Sequence, residues 1–158
     1  MNVTLRRRSL SWTAISAATY AAIIWIYFIA PLGPKFGQVM LGTAVFAHDP
    51  ILNAGILEWA RQAIASPSLH LFDWPPGFAS QNTLAITENL LGWQPEFALL
   101  RWAGASVTFA YNSLFITSFF FSAFGAGLLA KRFDASEEGA LLSGIIFAFL
   151  PFHLVHAI

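Results

Sequence analysis

The sequence contains no cysteine and little charge, since only 10% of its 158 residues are Asp, Glu, Lys or Arg. Without cysteine, disulfide bonds and thiolate metal sites are excluded. Soluble domains carry about 25% charged residues, so the low charge predicts a membrane protein. The formal net charge is zero. The basic surface of a nucleic-acid-binding protein is therefore missing, and we expect no nucleic-acid partner.

Apolar residues make up 57% of the chain, and the mean hydropathy is +0.63. Their distribution predicts an all-α integral membrane protein with three transmembrane helices, at about 12–30, 107–130 and 139–158. A signal peptide also places charge before an apolar run, but a first run of about 19 residues is long enough to cross the hydrocarbon core. We therefore expect an uncleaved first span.

Basic residues set the predicted orientation. Arg6, Arg7 and Arg8 precede the first span, and Lys131 and Arg132 follow the second. Because positive residues stay on the cytoplasmic side, the N-terminus is expected in the cytoplasm and the loop of about 31–106 outside it. The expected location is the bacterial inner membrane, crossed several times.

The long loop is predicted to carry two amphipathic helices that lie at the membrane surface. Asp49 and Pro50 are typical of a helix start, and apolar residues then recur at helical spacing to about residue 66, with Trp59 at headgroup depth. A second helix is predicted from a cap at Thr87, with Glu88 in its first turn and a kink at Pro95. Tryptophans in both segments favour contact with lipid headgroups.

The third helix is predicted to begin at Ser136, which precedes two acidic residues. Small residues recur every four positions on the second and third spans, so their backbones are expected to pack closely as a hairpin. These residues are Ser118, Ser122, Ala126 and Ala130 on the second span, and Ala140, Gly144 and Ala148 on the third.

Several segments occur in an order that is similar to a known family. They are HDPILNAGILEWA, LHLFDWPPGFASQNTLAITENLLG, AYNSLF, SAFGAGLLAKRF and GIIFAFLPFHLVHAI. This order resembles the N-terminal part of bacterial C-type (GT-C) membrane glycosyltransferases over about residues 40–158. Those families have many spans, so the resemblance implies that the chain is a fragment of a larger polytopic fold, inactive by itself.

The resemblance also implies a reaction. Members transfer sugars from polyprenyl-phosphate carriers on the non-cytoplasmic face, and an acid in the first outer loop is usually essential. Asp49 holds that position and is the candidate catalytic base. Many members have two adjacent acids there, whereas this chain has His48 before Asp49. A divalent metal as cofactor is left open.

Five further residues are candidates for substrate binding, each with a simpler alternative. Glu88 could instead stabilise the first turn of a helix, and Asp73 could simply be a residue that turns favour. Arg101, like Arg61, could instead pair with anionic lipid headgroups. His153 and His156 are candidates for phosphate contact, with interfacial placement as the alternative. Expected partners are membrane lipid and a polyprenyl-phosphate sugar.

A rival interpretation is a non-catalytic membrane protein, such as a lipid-carrier flippase or an envelope-assembly subunit. In that case the loop helices only hold the protein at the interface.

A polar residue inside the second span, Asn112, needs a hydrogen-bond partner, and a hydrogen bond to a neighbouring helix is expected.

Overall fold

A computed structural model describes residues 3–42, 48–74, 82–86 and 88–150, and it describes side chains from Trp12 onward. These residues form helices and turns without any β-strand, which confirms the all-α prediction. The α-helices are α1 (Val3–Ile24), α2 (Ala30–Leu32), α3 (His48–Ala65), α4 (Gln94–Trp102), α5 (Val107–Arg132) and α6 (Glu137–Ala148).

Within the part of the chain that the structure describes, two helical segments are long and apolar enough to cross a membrane. They are Trp12–Lys35 and Val107–Arg132, with mean hydropathies of 1.8 and 1.7. Only 22% of the residues in each apolar window are buried. The core helix of a soluble protein would be mostly buried, so the exposed apolar surface of both helices favours lipid as their surroundings.

The first of these segments changes its helical geometry before it ends. Trp25–Ile29 forms a π-helical turn, in which the Ala30 N–H donates to the Trp25 carbonyl. Pro31 lies just beyond it and has no N–H to donate. Gly33, with φ at 48°, then ends the helix, as its lack of a side chain allows. The predicted end near residue 30 is thereby confirmed.

The predicted third span is not confirmed. Helix α6 has 12 residues, which corresponds to about 18 Å against a hydrocarbon thickness of about 30 Å. Residues 151–158, with which the predicted span ends, lie outside the described part of the chain. The predicted start is confirmed, because the Ser136 hydroxyl accepts a hydrogen bond from the Gly139 N–H at 3.0 Å.

The described chain divides into two compact units, and α5 contributes residues to both. The first unit contains the chain up to Gly33 and from Phe115 onward. Within it, two α1 side chains bind backbone carbonyls of α6. The Trp12 indole donates to Glu137 at 3.0 Å, and the Tyr20 hydroxyl donates to Leu141 at 3.2 Å. Tyr20 is completely buried there.

The small-residue prediction holds for α6 but has the wrong register on α5. Ala140, Gly144 and Ala148 are all buried. A Cβ added to Gly144 would collide with the Tyr20 hydroxyl and the Ala123 carbonyl. The buried line on α5 is thus Phe119, Ala123 and Gly127, one position beyond the predicted line. Three predicted residues, Ser122, Ala126 and Ala130, instead line an open apolar groove of about 550 Å³.

The second unit consists of Pro34–Leu114 and packs α3 against α4 and the beginning of α5. Its core contains Ala54, Leu57, Phe97, Ala110, Tyr111 and Leu114. The buried Gln94 side chain donates to the Leu57 carbonyl at 2.6 Å and so ties α4 to α3.

Asn112 holds the loop that follows the first apolar helix. Its amide oxygen accepts from the Leu41 N–H at 2.9 Å, and its amide nitrogen donates to the carbonyls of Phe36 and Val39 at 2.7 and 2.8 Å. Asn112 is fully buried, and the second unit supplies all three partners. The partner is therefore loop backbone, and the expected helix–helix contact is wrong.

The start of the second loop helix also differs from the prediction. Residues 88–90 are not helical, and Leu91–Trp93 forms a short 3₁₀ turn before α4 begins at Gln94. Leu90 has a positive φ of 52°, which is incompatible with a continuous helix. Pro95 therefore lies in the first turn of α4, where its missing N–H has no cost, and does not kink a longer helix. Thr87 lies outside the described residues.

Candidate functional site

Asp49 lies in the first turn of α3 and is exposed. The helix begins at His48, so Asp49 is the second helical residue and not the cap that the sequence predicted. A carboxylate in the first turn is stabilised by the free N–H groups there. Beyond it, Ala54 and Leu57 are packed in the core of the second unit. The carboxylate thus stands at the solvent-facing end of a firmly held helix.

Two polar side chains lie beside Asp49. Asn53 is one helical turn further along α3, and its side chain is within hydrogen-bonding reach of the hydroxyl of Tyr111 from α5. The charge of Asp49 is close enough to act on that hydroxyl. A carboxylate can accept a proton, while an amide and a phenol can donate hydrogen bonds to a hydroxylated ligand. Together these groups suit a ligand that presents hydroxyl groups.

No motif in the sequence assigns a role to Asn53 or Tyr111. The available signal was the tyrosine in AYNSLF, a polar group at the start of an otherwise apolar helix. Its partner could not be read from the sequence, because 58 positions separate Asn53 from Tyr111 and only the packing of α3 against α5 brings them together.

Glu58 organises a cluster of charges between α3 and α4. Its carboxylate accepts hydrogen bonds from Arg61 at 2.6 and 3.1 Å, from Arg101 at 3.0 Å and from Gln62 at 3.2 Å. Burial by itself would raise the pKa of Glu58, but the hydrogen bonds from Arg61, Arg101 and Gln62 outweigh it and lower the pKa to about 2. Glu58 is therefore ionised throughout the physiological range.

The same cluster occupies both arginines that were considered for phosphate. Arg101 binds Glu58 and also donates to the Ala105 carbonyl, and Arg61 binds Glu58 from the neighbouring turn. Two guanidinium groups face one carboxylate, so one positive charge remains. The arrangement joins α3 to α4, a structural role that the spacing of these residues in the sequence does not predict.

Asp73 has a structural contact of its own. Its carboxylate accepts from the Asn82 N–H at 2.7 Å, and the Leu84 N–H donates to the Phe72 carbonyl at 3.0 Å. The Trp59 indole donates to the Leu71 carbonyl at 3.1 Å, so it holds this loop and is half-buried. Binding of sugar by Asp73 stays a prediction.

The remaining predicted site residues are not gathered around Asp49 by any contact among the described residues. Glu88 is exposed in the non-helical segment before α4. His153 and His156 lie outside the described part of the chain. Where side chains are described, no group of three or more His, Asp or Glu residues is placed to hold a metal ion.

The chain was compared with protein families, curated proteins and solved structures. No protein family, curated protein or solved structure matches this chain.

Proposed function

We propose that this chain is the N-terminal part of a membrane glycosyltransferase of the C type, with Asp49 as the base that deprotonates the acceptor. The observation that carries the proposal is the position of Asp49, an exposed carboxylate on a firmly packed helix beside the paired side chains of Asn53 and Tyr111. The order of the motifs along the sequence supports the same assignment.

Two other acids of the second unit, Glu58 and Asp73, are less suited to act as the base. Glu58 is held by two arginines, and its pKa of about 2 makes it a poor proton acceptor. Asp73 is engaged by a backbone N–H. Asp49 has no hydrogen bond or ion pair with any residue that the structure describes. Among these three, Asp49 is the exposed carboxylate that no described residue binds.

The proposed reaction transfers a sugar from a polyprenyl phosphate to a hydroxyl group. Asp49 accepts the hydroxyl proton while the acceptor oxygen forms a bond with the anomeric carbon. The bond between that carbon and the phosphate oxygen breaks, and polyprenyl phosphate leaves with the electron pair. The side chains of Asn53 and Tyr111 orient the hydroxylated substrate beside the carboxylate.

The leaving phosphate needs a positive or hydrogen-bonding partner close to the anomeric carbon. The Glu58 cluster is nine residues from Asp49, or about 14 Å along α3, which is too far to contact a phosphate at the reacting carbon. This distance does not favour Arg101 as a ligand of that phosphate. His153, His156, Glu88 and Asp73 remain the candidate substrate-binding residues in the proposal.

The proposal includes a membrane topology. The N-terminus and the turn after Lys131 and Arg132 face the cytoplasm, and the second unit faces the opposite side of the bacterial inner membrane. Residues 139–158 form a third span. This arrangement puts Asp49 on the side where polyprenyl-phosphate sugars are used by the family that the sequence resembles.

The decisive experiment replaces Asp49 by Asn in the full-length protein reconstituted into lipid vesicles. The vesicles contain a panel of undecaprenyl-phosphate-linked radioactive sugars, and a bacterial envelope extract supplies acceptors. An amide cannot take the proton, so Asp49→Asn is expected to lose about a hundredfold or more in transfer rate. Removing the charge from the first turn of α3 should cost only about 0.3–1 kcal/mol, so the variant should still fold and should unfold within a few degrees of the parent.

Asp134→Asn is the matched control, because Asp134 is an exposed acid in the turn between α5 and α6. This variant should keep the parental rate. A folded Asp49→Asn protein with the parental rate would overturn the assignment of the base. A parent protein that transfers none of the sugars would overturn glycosyl transfer and favour the non-catalytic alternative.

A further inference from the structure

Helix α4 has two faces that are both apolar. One face is buried in the second unit and contains Phe97 and Ala98. A neighbouring face presents Pro95, Leu99 and Trp102 outward, and the last two are each 66% exposed. A surface helix of a soluble protein turns charged or polar residues outward. The outward face of α4 therefore requires an apolar medium to cover it.

The connection from α4 to α5 is short and fixed. Gly104, with φ at 91°, donates its N–H to the Arg101 carbonyl, and the Ala105 N–H donates to the Leu100 carbonyl. This double hydrogen bond is the Schellman ending of a helix. Ser106 then bridges to the Gly37 carbonyl at 2.8 Å and accepts from the Phe109 N–H at 3.1 Å. The orientation of α4 at the first turn of α5 is thus set by hydrogen bonds.

That first turn begins a helix long enough to cross a membrane, Val107–Arg132. Even a fully extended chain from Trp102 to Val107 would reach only about 18 Å. Helix α4 consequently lies within the interfacial layer wherever α5 enters the bilayer. Tryptophan is the residue type enriched at that depth, where its ring is apolar and its N–H meets water.

We propose that the outward face of α4, formed by Pro95, Leu99 and Trp102, docks on the lipid bilayer at the boundary between headgroups and acyl chains. The inference depends on α5 as a membrane span and is independent of glycosyl transfer. Continuity with α5 favours lipid over a partner protein, because the same apolar phase that surrounds α5 begins within reach of α4. The buried face of α4, which includes Phe97, is packed in the core of the second unit and so attaches that unit to the docked helix.

These 158 residues contain no cysteine, so an introduced cysteine is the only labelling site once any cysteine in the rest of the full-length protein has been replaced by serine. Nitroxide labels are placed singly at Leu99→Cys and Trp102→Cys in the full-length protein in phosphatidylcholine–phosphatidylglycerol vesicles. Collision with oxygen, which dissolves in lipid, is compared with collision with a water-soluble nickel chelate. Both positions should collide several-fold more with oxygen than with nickel.

Two matched positions define the scale. Ser68→Cys is exposed in the loop after α3 and should favour nickel, while Phe121→Cys is 61% exposed in the middle of α5 and should strongly favour oxygen. Leu99 and Trp102 are both exposed, so one labelled variant is sufficient for the test if the other does not fold. Each labelled protein is taken as folded if it unfolds at the same temperature as the parent.

Labels at 99 and 102 that meet nickel as freely as the label at 68 would overturn the proposal in favour of water. Labels shielded from both reagents would overturn it in favour of a protein partner. A nickel-accessible label at 121 would remove α5 from the membrane and the inference with it. None of these readouts depends on transferase activity, so loss of the proposed function leaves this test intact.

Discussion

Glu58 is a poor proton acceptor because two arginines bind it, and the same contacts join α3 to α4. Its carboxylate is only 18% exposed, so an unpaired charge there would be poorly solvated. Arg61 supplies a partner from the next turn, and Arg101 supplies one from another helix. The first pairing follows from helical spacing and was available from the sequence. The second crosses 43 positions and depends on packing.

The lowered pKa of Glu58 predicts an acid-sensitive contribution to stability. Its pKa is about 2 in the folded protein against 4.5 for the free group, so the folded state binds fewer protons. Stability is therefore fully present above about pH 4.5 and is lost as the pH falls towards 2. Solvent screening of the arginines reduces the expected contribution to about 1–2 kcal/mol.

Glu58→Gln should lower the free energy of unfolding at pH 7 by that amount and should flatten its decline between pH 5 and pH 3. Denaturant titrations in detergent micelles at several pH values measure both effects. Glu88→Gln is the control, since Glu88 is exposed outside the helices. Equal unfolding midpoints for Glu58→Gln and the parent at pH 7 would contradict the structural role of the cluster.

At the scale of elements, two glycines of the first unit, Gly144 and Gly125, have different surroundings. Gly144 of α6 lies against the Tyr20 hydroxyl and the Ala123 carbonyl, whereas nothing lies within 4 Å of the position that a Cβ of Gly125 would take. Helix packing in lipid depends on such close backbone approaches. Gly144 is thus a contact residue, and Gly125 lines the open groove.

Gly144→Ala should lower the thermal unfolding temperature, because the added methyl group pushes α6 away from α5 and costs about 1–3 kcal/mol. Gly125→Ala should raise it slightly, because alanine is the better helix former by about 1 kcal/mol and no neighbour is displaced. Unfolding of purified protein in detergent measures both. A shift of the same sign in the two variants would refute the packing described for α6.

Elements with a local cause were predictable from the sequence. The start of α3 near Asp49, the cap at Ser136 and the end of the first helix before Gly33 all follow from residues within one or two turns. The start of α4 was not predicted correctly, because the left-handed backbone at Leu90 is unusual for a leucine and has no sequence signal.

At the scale of the whole chain, the membrane assignment follows from composition and from two long apolar helices, whereas the contacts among distant segments do not. Periodicity identified a small-residue face on α6, but the facing register on α5 is decided by how Tyr20 fits beside Gly144. The grouping of Asp49, Asn53 and Tyr111 likewise required the packed second unit.

The proposed topology predicts which residues can be reached from outside the cell. Ser68→Cys should react with a membrane-impermeant maleimide in intact cells, and Phe133→Cys, which is 78% exposed in the turn after α5, should react only after permeabilisation. Labelling is read by a mass shift on gels. The reverse pattern would invert the orientation, and labelling of both in intact cells would exclude α5 as a span.

The grip of Asn112 on the loop after the first apolar helix also imposes an order in time. Its partners, Phe36, Val39 and Leu41, precede it by 71 to 76 residues. At about 5–20 residues per second, synthesis delivers Asn112 roughly 4–15 s after the loop. During that interval the Phe36 and Val39 carbonyls and the Leu41 N–H lack the partner that Asn112 supplies. The exit of the first helix therefore acquires its final conformation only when α5 emerges, so the second unit cannot close before the start of α5 has been made.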